Sequence, residues 1–425
     1  MKKQQNELAK FIRLKVLAEI DINKIEELME NRQILLQEIS RLIKKVATQN
    51  QRYLNSLEIE YISELIADEI TGLGPMRVLM EDDSISDILV NGPHNIFIEK
   101  DGKLQKSDQS FIDNTQLTDI AKRLVARMGR RIDDAQPLVD ARLPDGSRLN
   151  VVINPIALDG TSISIRKFNK NSKSLEDLAK LNSMSNQVAS FLVLAARIRC
   201  NIIVSGGTGS GKTTLLNALS HHILEDERII TLEDAAELKL QQPHVVRLET
   251  RMAGVELSGQ VSMRDLVINA LRMRPDRIIV GECRGAEAFE MLQAMNTGHD
   301  GSMTTIHANS PQDALSRLEN LVMMAGFNLP IEAIRHNIAS AVNIIVQIAR
   351  LNDGSRKIIK VSELIGISKN EIILHDIFEF IPDLSRDENG KIKGVYKCYG
   401  LSQNSIVEKN AIMFDVKNHL DEVFA

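Results

Sequence analysis

Residues 201–219 read NIIVSGGTGSGKTTLLNAL. An apolar run typical of a buried strand leads into a glycine-rich turn, and the turn leads into a segment with the periodicity of an amphipathic helix. This order of strand, turn and helix is the context that a phosphate-binding loop requires. A chance glycine-rich turn is the plainer alternative, and the elements on both sides argue against it. The stretch therefore predicts a site for a nucleoside triphosphate.

The residue types in this loop each have a physical reason. Gly206, Gly209 and Gly211 admit positive φ and carry no Cβ, so backbone N–H groups can curl around a phosphate. Lys212 would reach the β- and γ-phosphates, and the Thr213 hydroxyl would be a ligand of Mg²⁺. The helix that opens at Lys212 adds unpaired N–H groups and a positive dipole end. The predicted nucleotide-binding residues are Gly206, Gly207, Thr208, Gly209, Ser210, Gly211, Lys212, Thr213 and Thr214.

The composition limits the classes of protein to consider. At 425 residues the chain is long enough for two or three domains. Its net charge of −5, its lack of tryptophan and its 4% of aromatic residues argue against a nucleic-acid binder. Cys200, Cys283 and Cys398 show neither zinc-ligand nor disulfide spacing, which fits a reducing cytosol. No signal peptide or membrane-spanning run is evident, so we expect a cytoplasmic protein that reaches a membrane only through a partner.

Four segments follow one another along the chain. Residues 1–55 are predicted to be helical, with an apolar stripe that suits either a bundle packed on its own chain or an interaction arm for another protein. Residues 56–169 mix helices and short strands in an α+β domain, and the polar tract at 169–174 is a predicted hinge. Residues 170–366 alternate apolar strands with amphipathic helices, which indicates an α/β fold with a largely parallel sheet. Residues 367–425 form a C-terminal extension.

Two apolar strands are each predicted to end in acidic residues. Residues 277–282 read RIIVGE, a Walker B pattern with an inserted glycine and with Glu282 in place of aspartate. Residues 229–234 read IITLED and end in Glu233 and Asp234. Because parallel strands end at the same edge of a sheet, both acidic ends should lie beside the phosphate loop. A helix cap or a solvated turn is the plainer role for either acid alone, but phosphoanhydride hydrolysis needs one group that holds the metal and one that orients water.

Further motifs complete a recognisable set. With the loop at 201–219, they are TLEDAAEL at 231–238, LRMRPDRIIVGECRG at 271–285 and TGHDGSMTTIHANS at 297–310. Together they resemble the Walker A, Asp box, Walker B and His box of the type II and type IV secretion ATPases. Residues 129–150, GRRIDDAQPLVDARLPDGSRLN, resemble the CpaF-like branch that assembles tight-adherence pili. The chain departs from other branches at Ala235, where proline is common, and it lacks the tetracysteine zinc motif of the extension motors.

This resemblance implies an α/β fold with a RecA-like P-loop NTPase core, a smaller α+β N-terminal domain and an N-terminal helical segment. It further implies a homohexamer that hydrolyses ATP with Mg²⁺ and drives pilus subunits across the inner membrane through a platform protein. Glu233 would orient or deprotonate the attacking water and Glu282 would hold Mg²⁺, although the reverse assignment stays open. His307, and less strongly His299, would sense the γ-phosphate; a capping or hydrogen-bonding role is the alternative for each.

Charge on the transferring phosphoryl group usually calls for an arginine. Arg148 and Arg166 lie on two predicted strands joined by a turn, and if these strands pair as a hairpin both side chains share one face near one end. A salt-bridged surface pair is the plainer interpretation. Arg272 and Arg274, just before the Walker B strand, are the second choice. Weaker candidates, for which a solvated or subunit-contact role is more natural, are Arg130, Arg131 and Arg142.

We therefore interpret the chain as a Mg²⁺-dependent ATPase. The first choice is a motor for tight-adherence or type IV-like pilus assembly, or for type II-like secretion, bound peripherally to the cytoplasmic side of the inner membrane. The main alternative is a VirB11-like ATPase of type IV secretion or conjugation. A DNA-translocating RecA-type ATPase is less favoured, because it would need basic DNA-facing loops that the acidic composition does not indicate. A non-hydrolysing scaffold is also less favoured, because it would have no need to retain Lys212, Glu233 and Glu282.

Overall fold

The computed structural model describes residues 2–20, 31–70, 72–100, 102–168, 173–251, 259–388 and 390–425. The chain divides into two compact units, residues 1–169 and residues 170–425. The tract predicted as a hinge, 169–174, falls mostly outside the described residues. The division into four domains stays a prediction.

In the described part of the N-terminal unit, the first three helices pack together as a bundle. They are α1 (Lys2–Glu19), α2 (Arg32–Gln49) and α3 (Ser56–Ile70). The apolar stripe predicted on the second helix is buried, and it packs with Ile12 and Val16 of α1 and with Ile62 and Ile66 of α3. The helices of residues 1–55 therefore pack on their own chain, as the bundle interpretation expects, and they do so against a helix that the sequence analysis assigned to the next domain.

A buried ion pair also ties the first helix to this bundle. Arg13 donates to both carboxylate oxygens of Glu69 on α3, at 2.5 and 2.7 Å. Glu69 is fully buried and also accepts a hydrogen bond from Gln116 at 2.9 Å, and Arg123 lies 3.1 Å from it. Because a buried charge is costly without partners, this carboxylate makes α1 part of the folded unit.

The remainder of this unit is an antiparallel sheet with helices against it. Its elements are α4 (Met76–Glu81), β1 (Ile85–Asn91), β2 (Ile96–Lys100), β3 (Lys103–Lys106), α5 (Asn114–Arg127), β4 (Leu138–Arg142), β5 (Arg148–Val152) and β6 (Ser162–Arg166). The strand order is β3-β2-β1-β6-β5-β4. One face is apolar and buried, with Ile88, Leu149 and Ile163 at its centre, and the other carries polar side chains. This is the α+β character that the sequence predicts.

The C-terminal unit is built on a nine-stranded sheet. Its helices are α6 (Leu175–Lys180), α7 (Asn186–Arg197), α8 (Lys212–Ser220), α9 (Met263–Ala270), α10 (Glu287–Asn296), α11 (Pro311–Met323), α12 (Ile331–Ala341), α13 (Ile406–Met413) and α14 (Lys417–Phe424). Its strands are β7 (Ile202–Gly206), β8 (Ile229–Glu233), β9 (Val245–Glu249), β10 (Arg277–Val280), β11 (Met303–Ile306), β12 (Ile344–Arg350), β13 (Arg356–Ser368), β14 (Glu371–Arg386) and β15 (Ile392–Cys398). The strand order is β15-β14-β13-β12-β7-β11-β10-β8-β9.

The strands from β12 to β9 in this order are all parallel, as predicted, and β13 to β15 are antiparallel. Separate apolar clusters cover the two faces of the sheet, so β7 sends Ile202 and Val204 to one cluster and Ile203 to the other. A central strand buried on both faces reads as a continuous apolar run. Strands β14 and β15, which lie in the predicted C-terminal extension, continue this same sheet.

Among the described residues, no helix is both long enough and apolar enough to cross a bilayer.

Candidate nucleotide-binding site

The predicted phosphate loop joins the end of β7 at Gly206 to the start of α8 at Lys212. Gly209 and Gly211 have φ of +68° and +100°, the left-handed region that favours glycine. Gly206 has a different reason, which the sequence analysis missed. A Cβ on Gly206 would lie 2.4 Å from the carbonyl oxygen of Ile348, so the close approach of β12, and no positive φ, requires glycine there.

Side chains of the loop fold back onto its own carbonyl groups. Lys212 Nζ donates to the carbonyl oxygens of Gly206 and Gly207, at 3.0 Å each. Ser210 Oγ donates to the carbonyl of Gly207 at 2.9 Å. Thr213 is half-buried in the first turn of α8 and Thr214 is exposed. The lysine charge and the N-terminal end of a helix thus meet at one turn, which is a favourable place for phosphate.

The two predicted acids lie at the edge of the sheet where the parallel strands end, which we call the carboxyl edge. Val280 of β10 pairs with Leu232 of β8, and the Gly281 N–H donates to the Leu232 carbonyl at 2.8 Å. A Cβ on Gly281 would lie 3.2 Å from Cγ of Glu233, so the glycine inserted in the Walker B pattern leaves room for that side chain. The prediction that both acidic ends share the edge of the phosphate loop is therefore confirmed.

Glu233 is a buried carboxylate with an unused oxygen. Its Oε2 accepts hydrogen bonds from the backbone N–H groups of Glu237 and Leu238, at 2.6 and 2.9 Å. Its Oε1 is buried and has no hydrogen-bond partner within the described part of the chain. Burial raises the pKa of Glu233, and the two backbone hydrogen bonds offset only part of that effect. A carboxylate of this kind is suited to hold a water molecule or to accept its proton.

Glu282 is more accessible and sits among positive charges. Its carboxylate accepts a hydrogen bond from Arg284 at 2.8 Å, and Arg284 also lies 3.8 Å from Asp234. Burial lowers the pKa of Lys212, while the nearby Glu282 carboxylate acts in the opposite direction. Lys212 at the start of α8 and Glu282 after β10 therefore lie at the same edge of the sheet, as a shared phosphate and metal site requires.

The oxygen ligands at this edge fit Mg²⁺ better than a transition metal. Mg²⁺ is usually held by one or two protein oxygens together with substrate phosphates and waters. The Thr213 hydroxyl and the Glu282 carboxylate are ligands of that type. No group of three or more His, Cys, Asp or Glu side chains that could hold a metal occurs among the described residues.

The candidate histidines and the second-choice arginines lie at different edges of the sheet, depending on whether each residue precedes or follows a strand. His307 follows β11 and is exposed at the carboxyl edge. His299 precedes β11, so it lies at the opposite, amino edge, where its carbonyl accepts a hydrogen bond from Ser302. Arg272 and Arg274 precede β10 and lie at the amino edge too. In its own chain, none of these three residues can meet a phosphate at the loop.

Arg148 and Arg166 belong to the N-terminal unit, where they are direct partners across β5 and β6. The predicted hairpin and shared face are confirmed. Arg142 of β4 is the direct partner of Arg148, so three arginines form a row across the polar face. Arg166 is 60% exposed and lies 3.3 Å from Asp87, the surface salt bridge of the plainer interpretation.

Two arginines that the sequence analysis did not single out lie beside the phosphate loop. Arg356 Nε donates to the carbonyl oxygen of Gly209 at 3.0 Å. Arg350 is its direct partner across β12 and β13. No motif marks them, because they are more than a hundred positions from the loop in the chain. The one available signal was that an apolar strand of the parallel sheet ends at Arg350.

Comparisons with known proteins agree with this architecture. A family model described as "Type II/IV secretion system protein" matches residues 69–398. A putative conjugal transfer protein of Mycobacterium tuberculosis is 38% identical over 317 residues, which cover 73% of this chain and 90% of that protein. The type IV secretion system protein VirB11 of Bartonella quintana is 33% identical, over 70% of this chain and 94% of that protein. The X-ray structure of the Yersinia pseudotuberculosis ATPase DotB has a TM-score of 0.50 at 17% identity, covers 88% of this chain and 87% of that chain, and shares the fold. The predicted fold class is confirmed.

Proposed function

We propose that this chain, which belongs to the type II/IV secretion system protein family, hydrolyses ATP with Mg²⁺ and powers a secretion or conjugation apparatus. The observation that carries the proposal is the meeting of Lys212, Glu233 and Glu282 at one edge of the sheet, beside a loop built to hold phosphate. A lysine, an accessible acid and a buried acid are the three groups that phosphoanhydride hydrolysis needs. Nucleotide binding alone would not need the buried acid.

The burial of each acid supports a division of roles. Glu233 orients the attacking water and accepts its proton, because its unused Oε1 is buried and its pKa is raised. Glu282, with a quarter of its side chain exposed, holds the metal together with Thr213. Bound Mg²⁺ neutralises charge on the phosphate oxygens. Lys212 contributes a further positive charge to the β- and γ-phosphates.

Two further contributions complete the proposal. His307 senses the γ-phosphate from the carboxyl edge, where it is exposed beyond the end of β11. Arg148 and Arg166, from their own subunit or from a neighbour, stabilise charge on the transferring phosphoryl group.

We propose that six copies form a ring and that the ring attaches to the cytoplasmic side of the inner membrane through a platform protein. The resemblance of the four motifs supports both statements.

The relatives bear on which apparatus the motor serves. The proteins at 38% and 33% identity are named for conjugal transfer and for type IV secretion. These names favour a conjugation or type IV secretion motor at least as strongly as the resemblance of residues 129–150 favours tight-adherence pili. We therefore propose the secretion and conjugation function first and pilus assembly second. Affinity capture of inner-membrane partners from the native cell distinguishes them by the assembly proteins recovered.

Phosphate release from ATP tests the catalytic proposal directly. Lys212→Ala should lower turnover by at least about 10²-fold, because it removes the charge that meets the β- and γ-phosphates. Lys409→Ala, which removes an exposed lysine from α13, is the matched control and should hydrolyse ATP at the wild-type rate. Near-normal turnover of Lys212→Ala would refute the site. Stimulation of the wild-type protein by DNA would instead favour a DNA-translocating ATPase.

A further inference from the structure

The hairpin of β12 and β13 places two arginines on the phosphate loop. Arg350 ends β12, Arg356 begins β13, and the two are directly opposite one another. Arg356 Nε donates to the Gly209 carbonyl at 3.0 Å. A Cβ on Gly211 would lie 3.2 Å from Arg356 Cδ, and one on Gly209 would lie 3.6 Å from Arg350 Nη1. Both side chains therefore lie against the two loop glycines that have positive φ.

The turn of this hairpin is held in place by one carboxylate. Asp353 accepts hydrogen bonds from the backbone N–H and the hydroxyl of Ser355, at 2.8 and 2.6 Å, and from the backbone N–H of Ile392 at 2.5 Å. Lys391 Nζ donates to the Asp353 carbonyl at 3.1 Å. The fixed turn therefore holds both guanidinium groups against the phosphate loop.

The strand order indicates which part of a nucleotide these arginines would meet. β7 has β11 on one side and β12 on the other, and Glu282 follows β10, beyond β11. At the usual spacing of strands, β12 and β10 are about 14 Å apart. Glu233 ends β8 and Glu282 follows β10, so both acids lie on the β11 side of β7, and under the proposed function the terminal phosphate belongs there. The nucleoside end of the same ligand then points toward β12 and the arginine pair.

We propose that Arg350 and Arg356 bind the non-bridging oxygens of the nucleotide α-phosphate. The inference rests on the proposed function, because it takes the loop to hold a nucleoside triphosphate or diphosphate. A guanidinium group matches the geometry of two phosphate oxygens and stays charged at all relevant pH values. Because ADP and ATP share the α-phosphate, the pair contributes equally to the binding of both and little to the chemical step.

Calorimetric titration with three probes tests this inference. In the Arg350→Ala/Arg356→Ala variant, the Kd values for Mg–ADP and Mg–ATP should both rise by the same factor, about 10-fold to 100-fold. The Kd for pyrophosphate, which lacks the nucleoside phosphate, should stay unchanged. KM should rise while kcat stays within about twofold. Arg356→Lys should lose less nucleotide affinity than the double variant, because lysine keeps the positive charge but lacks the planar guanidinium fork.

Arg197→Ala is the matched control. Arg197 is an exposed arginine in the last turn of α7, which leads into the start of β7 and so lies at the amino edge. Its removal changes the charge equally and should leave all three Kd values unchanged. If the double variant binds ADP and pyrophosphate more weakly by the same factor, the arginines only support the loop. If its ADP affinity is unchanged, the arginines make no contact with the nucleotide. Either result overturns the inference while the ATPase proposal stands. A wild-type protein that binds no nucleotide would refute the proposed function itself.

Discussion

Deleting residues 1–55 distinguishes a folding role of the N-terminal helices from a separable role in contacting another protein. We expect the truncated N-terminal unit to unfold. Ile62, Ile66 and Ile70 of α3 are buried in one cluster with α1 and α2, and the deletion exposes them to water. At about 1.5–3 kcal/mol for each side chain, the loss is about 5–9 kcal/mol. A typical domain has only about 5–15 kcal/mol of stability in total.

The Arg13–Glu69 pair can be tested with α1 and α2 in place, because Glu69 then stays buried and keeps Gln116 and Arg123 as its partners among the described residues. Removing one member of a buried ion pair costs about 3–5 kcal/mol. Arg13→Ala isolates this term without truncation. Its matched control is Lys45→Ala, which breaks an exposed pair with Glu19 in the same bundle, 53% and 33% exposed, and should cost at most about 1 kcal/mol.

The pH dependence of Arg13→Ala gives a second measurement. Burial by itself raises the pKa of Glu69, but the hydrogen bonds from Arg13 and Gln116 bring it below its ordinary value overall. The stabilisation is therefore complete above the pKa of the unfolded chain and is lost as the pH falls through the folded pKa. Arg13→Ala should be destabilised most near neutral pH and should approach the wild type in acid.

Urea denaturation followed by circular dichroism measures these differences in the full chain. Phosphate release by the truncated protein completes the assay. The reasoning fails if the truncated protein folds and hydrolyses ATP normally, or if Arg13→Ala is no less stable than Lys45→Ala at neutral pH. Either result would return residues 1–55 to the role of an interaction arm.

The other predictions concern the chemistry. Glu233→Gln should lower kcat by at least about 10²-fold and leave ATP bound, whereas Glu282→Gln should weaken the Mg²⁺-dependent affinity for ATP. Equilibrium binding and single-turnover kinetics measure the two effects separately, and the reverse pattern would exchange the roles of the two acids. Because burial raises the pKa of Glu233, kcat should rise with pH as that carboxyl ionises, above the range where an ordinary glutamate does so, and a profile without such a rise would contradict its role as a base. Arg148→Ala and Arg166→Ala should each cut turnover by about 10²-fold or more without changing the assembly state seen by light scattering, and unchanged rates in intact assemblies would remove the role from this pair.

The parts of the fold that the sequence predicts are those with a strong local signal. β7 is a continuous apolar run followed by a glycine-rich turn, and the rule that parallel strands end at one edge brings Glu233 and Glu282 to that turn. β3 carries no such signal, because all four of its residues are exposed and show no alternation of apolar and polar side chains. The reason for Gly206 was missed, since it depends on how closely β12 packs against β7.

The placement of His299 was predictable and was overlooked. In a parallel sheet, a residue just before a strand lies at the amino edge and a residue just after it lies at the carboxyl edge. Applied to the His box, this rule separates His299 from His307 without any coordinates. Arg350 and Arg356 are a different case, because their place at the loop depends on β12 lying next to β7, and that neighbour relation is a property of the folded sheet alone.

The same strand order separates the tasks of binding and hydrolysis. On one side of the loop, β10 and β8 carry the acids that act on the terminal phosphate; on the other, the hairpin of β12 and β13 carries the arginines that we assign to the α-phosphate. ATP and ADP differ only at the terminal phosphate, so only the side of the acids can distinguish them. A motor of this design would couple its movement to events near Glu282 and His307 while the arginines keep the nucleotide bound. Variants on the side of the acids should therefore change turnover, and variants on the side of the arginines should change affinity.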